Sequence, residues 1–193
     1  MKTSFAAKTL ALALGASLLG GLSFAPVAIA EMTVMVGGAA MYPSKTIVEN
    51  AVNSKDHTTL VAAVKAAGLV DTLSSAGPFT VFAPVNKAFA KLPKGTVDTL
   101  LKPENKGMLT GILTYHVVAG RLSAQDLADK VDAMGGKAEL KTVAGGTLII
   151  KRAGKSHLTV TDEKGDVAHI TISNVFQSNG VIHVIDKVML PAA

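Results

Sequence analysis

The chain has no cysteine and no tryptophan, and aromatic residues make up only 4% of its 193 positions. Without cysteine there is no disulfide to staple the fold and no thiol to carry an N-terminal lipid. A stable fold must therefore come from an ordinary apolar core, which a chain of this length can build. The Gly-x-Gly-x-x-Gly, Walker and Gly-x-Ser-x-Gly sequences are all missing, so nothing suggests a dinucleotide, a phosphate loop or a serine nucleophile. The five histidines are His57, His116, His157, His169 and His183, and none stands three or four residues from another. That spacing does not suit a metal site, and His157 and His169 read as solvent-facing alternates in their strands. Carboxylates are few, and no pair stands out as acid and base. Neither a cofactor nor catalysis is expected. The net charge is +5, but the basic residues are scattered, which does not argue for nucleic acid.

The N-terminus does carry a signal. Lys2 and Lys8 precede an uncharged run from Thr9 to Phe24, rich in leucine and followed by Pro26 and Ala28-Ile29-Ala30. The run is short for a bilayer span, which takes about 20 residues. Basic start, apolar run, helix breaker and small-x-small site together describe a secretory leader, residues 1–30, cleaved after Ala30. The mature chain would be Glu31–Ala193, with a charge of about +3, no transmembrane segment, and a periplasmic, extracellular or cell-surface location.

Residues 31–43 lack periodicity around Gly37-Gly38-Ala39-Ala40 and read as an arm ended by Pro43. Helical spacing follows. Ser44 can cap Lys45–Val52, Asp56 or Thr58 can cap a helix through Ala67, and Gly68 is a natural left-handed terminator. Phe79-Thr80-Val81-Phe82 is a strand signal. Val85–Leu92, Val97–Leu101 and Glu104–Leu113 return to helical spacing, and Thr114–Val118 looks extended. Ser123 and Asp126 form a capping-box variant before Leu127 and Val131. The second half changes character. Glu139–Val143 with Thr147–Lys151, and Leu158–Thr161 with Val167–Ser173, read as hairpins around glycine turns. After Ser178-Asn179-Gly180, Val181–Leu190 forms a last strand that is apolar on both faces and therefore central. Helices first and a meander second give an α+β class with a mostly antiparallel sheet. His183 interrupts that last strand and must find a partner there, most simply as a hydrogen-bonded core histidine. Tyr115 and His116 lie between Leu113 and Val117-Val118, so at least one must point inward and lock the helix-to-strand junction.

Three segments resemble the fasciclin (FAS1) domain family. Thr80-Val81-Phe82-Ala83-Pro84-Val85-Asn86-Lys87-Ala88-Phe89 resembles its first signature, and Leu113–Val118 its Tyr-His motif. Asn179–Pro191 resembles the second signature. The resemblance covers residues 44–191 and implies a twisted β-wedge flanked by short helices. It also implies secretion or surface display, no general catalytic activity, and attachment through a protein or glycan partner on a cell surface or matrix. Some members bind hydrophobic small molecules, including carotenoids, so carriage of such a molecule or a lipid is the alternative. Met32, Met35, Met41, Met108, Met134 and Met189 would offer adaptable apolar surface for it, unless they simply fill the core. Pro84, Asn86, Tyr115 and His116 are the candidate binding residues. Two positions depart from the family pattern. Val85 stands where a hydroxyl residue usually caps the next helix, so Asn86 is expected to take over the cap. Asn174 and Val175 stand where some animal members carry an acidic Asp-Ile pair that serves integrin binding, so that activity is not carried over.

Overall fold

The computed structural model describes residues 33–154 and 157–192. The expected leader, residues 1–30, and Met32 lie outside them. Strands β1 (Val34–Val36) and β2 (Ala39–Met41) pair antiparallel around Gly37 and Gly38, both at positive φ. The stretch read as an arm is thus a hairpin. Its Gly-Gly turn has the backbone that a tight hairpin demands. Alternation turns Val36 and Met41 into the core and leaves Met35 in solvent.

Helix α1 (Ile47–Ala51) is capped by Thr46, not Ser44: the Thr46 hydroxyl accepts from the Glu49 amide while the Glu49 carboxylate reaches back to the Thr46 amide. Helix α2 (Thr58–Ala67) ends at Gly68 with φ 72°, and α3 (Val70–Ser74) follows. Strand β3 (Phe79–Pro84) leads into α4 (Asn86–Ala90), α5 (Thr96–Leu100), a 3-10 turn (Pro103–Asn105) and α6 (Lys106–Tyr115). Helix α6 runs two residues past the expected end, and its C-cap is His116. Strand β4 (Val117–Ala119) precedes α7 (Ala124–Ala133), which opens with the expected Ser123–Asp126 capping box. The β-rich half is β5 (Lys137–Lys141), β6 (Thr147–Ala153), β7 (His157–Thr161), β8 (Val167–Gln177) and β9 (Gly180–Ile185).

Strands β3 to β9 form one sheet in the order β4-β3-β9-β8-β7-β6-β5. Only the β3–β9 pair is parallel. Strand β8 is eleven residues long and changes register between Ile170 and Ile172 and again before Val175. Such bulges bend a strand and increase its twist. The sheet accordingly curls until its outer strands meet: Val118 bridges Thr142, and the Val143 amide donates to the Val117 carbonyl at 2.8 Å. Neither outer strand is left as a plain open edge.

Strand β9 is buried at all six positions and lies between β3 and β8, the central placement that its two apolar faces required. One apolar cluster packs the hairpin and α1, α2 and α6 against Val81, Ala83, Ile182 and Val184. The other joins Phe82 and Ile185 to Leu127 and Val131 of α7 and to Leu148, Ile150 and Val160. Each large aliphatic side chain so buried contributes about 1.5–3 kcal/mol. Gly180 starts β9 where a Cβ would sit 2.2 Å from the Phe79 carbonyl oxygen and 3.0 Å from Ile47.

Gly180→Ala should therefore lower unfolding free energy by about 3 kcal/mol, the upper end of overpacking effects. Gly111→Ala, on a stretch of α6 with open space around it, should raise it by up to about 1 kcal/mol. Urea denaturation of both variants checks the pair, and equal effects would contradict the packing described.

Candidate functional site

Tyr115 closes α6 and is fully buried. Its hydroxyl donates to the Thr147 carbonyl at 2.8 Å and accepts from the Glu163 amide at 3.1 Å. The ring lies against Gly146, where a Cβ would come within 2.6 Å of it. Burial pushes the phenol up to about 12. His116 is buried too. Its Nδ1 lies 2.8 Å from the Ile112 carbonyl, and its Nε2 accepts from the Met189 amide at 3.0 Å. These partners assign the neutral Nδ1–H tautomer. Burial lowers its pKa to about 4, although hydrogen bonding to Ile112 and the charge of Asp162 work the other way.

Two acids from the turn after β7 complete the arrangement. Asp162 is buried. It accepts from the amides of Lys164 and Asp166 through Oδ1, and from Leu190 through Oδ2 at 2.9 Å. Glu163 accepts from the amides of Thr147 at 2.8 Å and Ala192 at 2.9 Å. Met189, Leu190 and Ala192 are thus held by His116, Asp162 and Glu163 in turn. In the sequence these acids look like ordinary turn residues, and only their closeness to Gly165 hints at an amide-binding turn.

Pro84 is buried at the end of β3. Asn86 is half-buried, and here the expectation is corrected. Val85 occupies the N-cap of α4 with no side-chain bond, and Asn86 does not replace it. Its Oδ1 accepts from the Thr59 amide at 3.0 Å, and its Nδ2 donates to the Lys55 carbonyl and the Thr58 hydroxyl. The turn after β3 sets Asn86 against the open start of α2, whose own N-cap, His57, makes no side-chain cap. The long-range cap satisfies donors that no local residue reaches. Pro84, Tyr115 and His116 offer a partner no side-chain surface, because each is enclosed by its own chain.

His183 fits the core reading. Its Nε2 lies 2.8 Å from the Leu122 carbonyl, its Nδ1 accepts from the Asn174 amide, and its ring stacks on Phe82. Burial lowers its pKa. Asn174, at φ 59°, accepts from the Ala124 amide at the start of α7, and Val175 is buried. His157 and His169 are exposed, and His169 lies 3.5 Å from Asp186. Among the described residues no three potential metal ligands gather, and no helix is long and apolar enough to cross a membrane.

Sequence reasoning missed His57. It is buried, and its Nδ1 lies 2.9 Å from the Ser54 hydroxyl, while its Nε2 makes no hydrogen bond. Burial lowers its pKa, and the nearby Ala83 carbonyl offsets part of that. The ring borders an almost wholly apolar cleft of about 60 Å³ between the hairpin, α1, α2 and β3, lined by Val36, Met41, Ile47, Leu60 and Val64. Of the methionines, Met41 lines this cleft and Met189 is core, whereas Met35, Met108 and Met134 are exposed.

Comparison with known proteins agrees with this architecture. The profile described as Fasciclin domain matches residues 55–191. Protein sll1483 of Synechocystis sp. (strain ATCC 27184 / PCC 6803 / Kazusa) is 47% identical over 177 residues, covering 88% of this chain and 89% of that protein. Immunogenic protein MPB70 of Mycobacterium bovis is 36% identical, covering 73% and 66%. Transforming growth factor-beta-induced protein ig-h3 of Sus scrofa is 35% identical over 78% of this chain, which spans only 20% of that longer protein. Among solved structures, a FAS1 domain pair from the insect cell adhesion molecule Fasciclin I aligns with a TM-score of 0.69 at 20% identity, covering 77% of this chain and 52% of that one. The chain belongs to the fasciclin domain family.

Because His116 has a folded-state pKa of about 4 against an ordinary 6.5, the unfolded chain binds more protons between those values. Stability should be fully present above pH 6.5 and fall by about 3 kcal/mol as the pH drops to 4. His57 and His183 add in the same direction. The lowered carboxyls of Glu49, Asp126, Asp132 and Glu163 act only below about 4.5, where ordinary carboxylates titrate. Denaturation across pH 4–7 should show this slope, and His116→Gln should flatten it while lowering stability at pH 7. An unchanged slope in the variant would remove His116 from the account. Tyr115→Phe should cost about 1–3 kcal/mol at every pH in that range, since it strands the Thr147 carbonyl and the Glu163 amide.

Proposed function

We propose that this protein is a non-enzymatic interaction domain displayed outside the cytoplasm, attaching to a protein or glycan on a cell surface or matrix. Family membership supports the class: relatives include proteins named as a cell adhesion molecule and a cell surface glycolipoprotein. One structural observation carries the reading to a surface. Tyr42 and Phe176 are the exposed aromatic side chains among the described residues, and the fold brings their segments together. Asn50 bonds the Tyr42 amide and carbonyl as well as the Gln177 side chain, and the Ser178 amide donates to the Lys45 carbonyl. The Lys45 ammonium stands 5.1 Å over the Tyr42 ring, and Arg121 holds the carbonyls of Gln177 and Ser178. Tyr42 beneath its Lys45 cation, and exposed Phe176 near the end of β8, are aromatic residues of the kind enriched in recognition surfaces. Pro84, Asn86, Tyr115 and His116 enter this proposal as the framework that holds the surface in shape.

A second reading, carriage of a small apolar molecule, has one observation in its favour: the apolar cleft beside His57. Absorbance or lipid co-purifying with native protein would support it, and its loss on Val64→Trp, which fills the cleft, would locate it.

Beads coated with the protein should adhere to matrix or host cells above a charge-matched control. Tyr42→Ser combined with Phe176→Ser should reduce adhesion at least about tenfold, the scale of losing an aromatic hot spot, with the melting temperature unchanged. Adhesion no better than the control would end the proposal, and adhesion unaffected by the double substitution would move it to another surface.

A further inference from the structure

The charged groups of this fold are distributed unevenly. In the sheet half, basic and acidic residues are interspersed, and ion pairs tie Arg152 to Asp132, Lys137 to Glu139 and Lys187 to Asp166. The stretch from α4 to the start of α6 differs. Lys87, Lys91, Lys94, Lys102 and Lys106 are set there against Asp98 and Glu104 alone, and all five lysines are exposed. Lys91 reaches Asp186 at 3.8 Å. The other four have no acidic partner within ion-pair distance among the described residues.

The local fold keeps these lysines at the surface. Ala88, Phe89, Leu100 and Leu109 are buried and pin α4, α5 and α6 to the core. The turn at Pro93-Lys94-Gly95 and the 3-10 turn at Pro103–Asn105 place Lys94 and Lys102 on the outer corners. The Lys106 ammonium lies over Gly68 at the end of α2, which brings exposed Lys65 to the same ridge.

The same stretch of chain also carries apolar surface. Met108 is 62% exposed, the most exposed of the large apolar side chains among the described residues, and Leu92, Val97 and Leu101 are only partly covered. A soluble acidic polymer would call on the charge alone. Exposed cations in one segment with a protruding apolar side chain suit a surface that is anionic outside and hydrocarbon beneath. We propose that this ridge docks the protein on an anionic lipid bilayer, with Lys94, Lys102 and Lys106 at the headgroups and Met108 at the acyl boundary. The ridge shares no residue with the Tyr42–Phe176 surface, so it stands or falls independently of the partner proposed there.

The test is co-sedimentation of the purified protein with vesicles of equal parts phosphatidylcholine and phosphatidylglycerol, and with phosphatidylcholine alone. Binding is expected only to the anionic vesicles, and it should vanish at ~0.5 M salt, where the screening length falls to a few ångströms. K94E/K102E/K106E should weaken it at least about tenfold, given roughly 1 kcal/mol for each lysine near an anionic surface. K130E/K141E/K151E makes the same net change on the sheet side and should leave binding within about twofold, since screening confines the effect to charges near the surface. Met108→Ser should weaken vesicle binding severalfold but leave binding to dextran sulfate unchanged. All these positions are exposed, and thermal melts of each variant check that it folds. Equal losses in the two triple variants would reduce the effect to net charge and overturn the proposal. So would full vesicle binding by Met108→Ser, or binding to dextran sulfate without binding to vesicles.

Discussion

Everything else in this molecule is arranged around β9, a strand of six residues with no exposed face. A strand buried on both sides must satisfy its backbone with two neighbours and its side chains with two cores. Strand β3 runs parallel on one side, β8 runs antiparallel on the other, and the two apolar clusters divide along it. Asn179, just before β9, shows how tightly the entry is set. Its side chain accepts from the Ile47 amide and donates to the carbonyls of Leu73 and Ser75, while its own carbonyl accepts from Phe79. One buried asparagine, through its side chain and its main-chain carbonyl, therefore ties α1, α3 and β3 to the start of the central strand. Buried polar groups tolerate no loss of a partner, so the register of β9 and the placement of the helices are a single constraint.

The same logic explains the Tyr-His motif. A helix ending against a curled sheet leaves backbone groups, and the segment that follows β9, to secure. Tyr115 crosses to the β5–β6 and β7–β8 turns, and His116 reaches the segment that follows β9. A phenol that both donates and accepts, beside an imidazole that does the same, bridges four backbone groups from two adjacent positions. The arrangement needs the histidine neutral, because an imidazolium cannot accept from Met189. Burial keeps the imidazole neutral, and the pH dependence expected of the fold follows from that.

Much of the fold could be read from residue patterns, because burial and capping leave local marks. The two apolar faces of Val181–Ile185 gave its central place. The Ser123–Asp126 box and Gly68 marked helix ends, and the glycine turns marked the hairpins. What escaped was non-local or very short. Asn86 caps a helix 27 residues upstream in the chain, and no local pattern reports such a partner. The first hairpin has strands of three residues, too few to show alternation, so Gly37-Gly38 looked like irregular chain. The candidate binding residues came from signature segments, which mark what the family shares. Pro84, Tyr115 and His116 sit where the scaffold is closed, and Asn86 spends its side chain on α2.

A framework that uses its motif residues inwardly leaves recognition to what the scaffold holds outward. Two kinds of surface remain on separate parts of this fold. One is aromatic, at Tyr42 and Phe176, beside the hub formed by Asn50 and Gln177. The other is basic, along α4 to α6. Neither stabilises the fold much, since exposed side chains with few partners contribute little. Both can therefore change without disturbing β9 and its clusters, whereas a substitution in the signature segments unsettles several elements together. Differences in partner between members of such a fold should thus be sought in exposed aromatic and cationic residues on its rim. Its most recognisable residues report on folding.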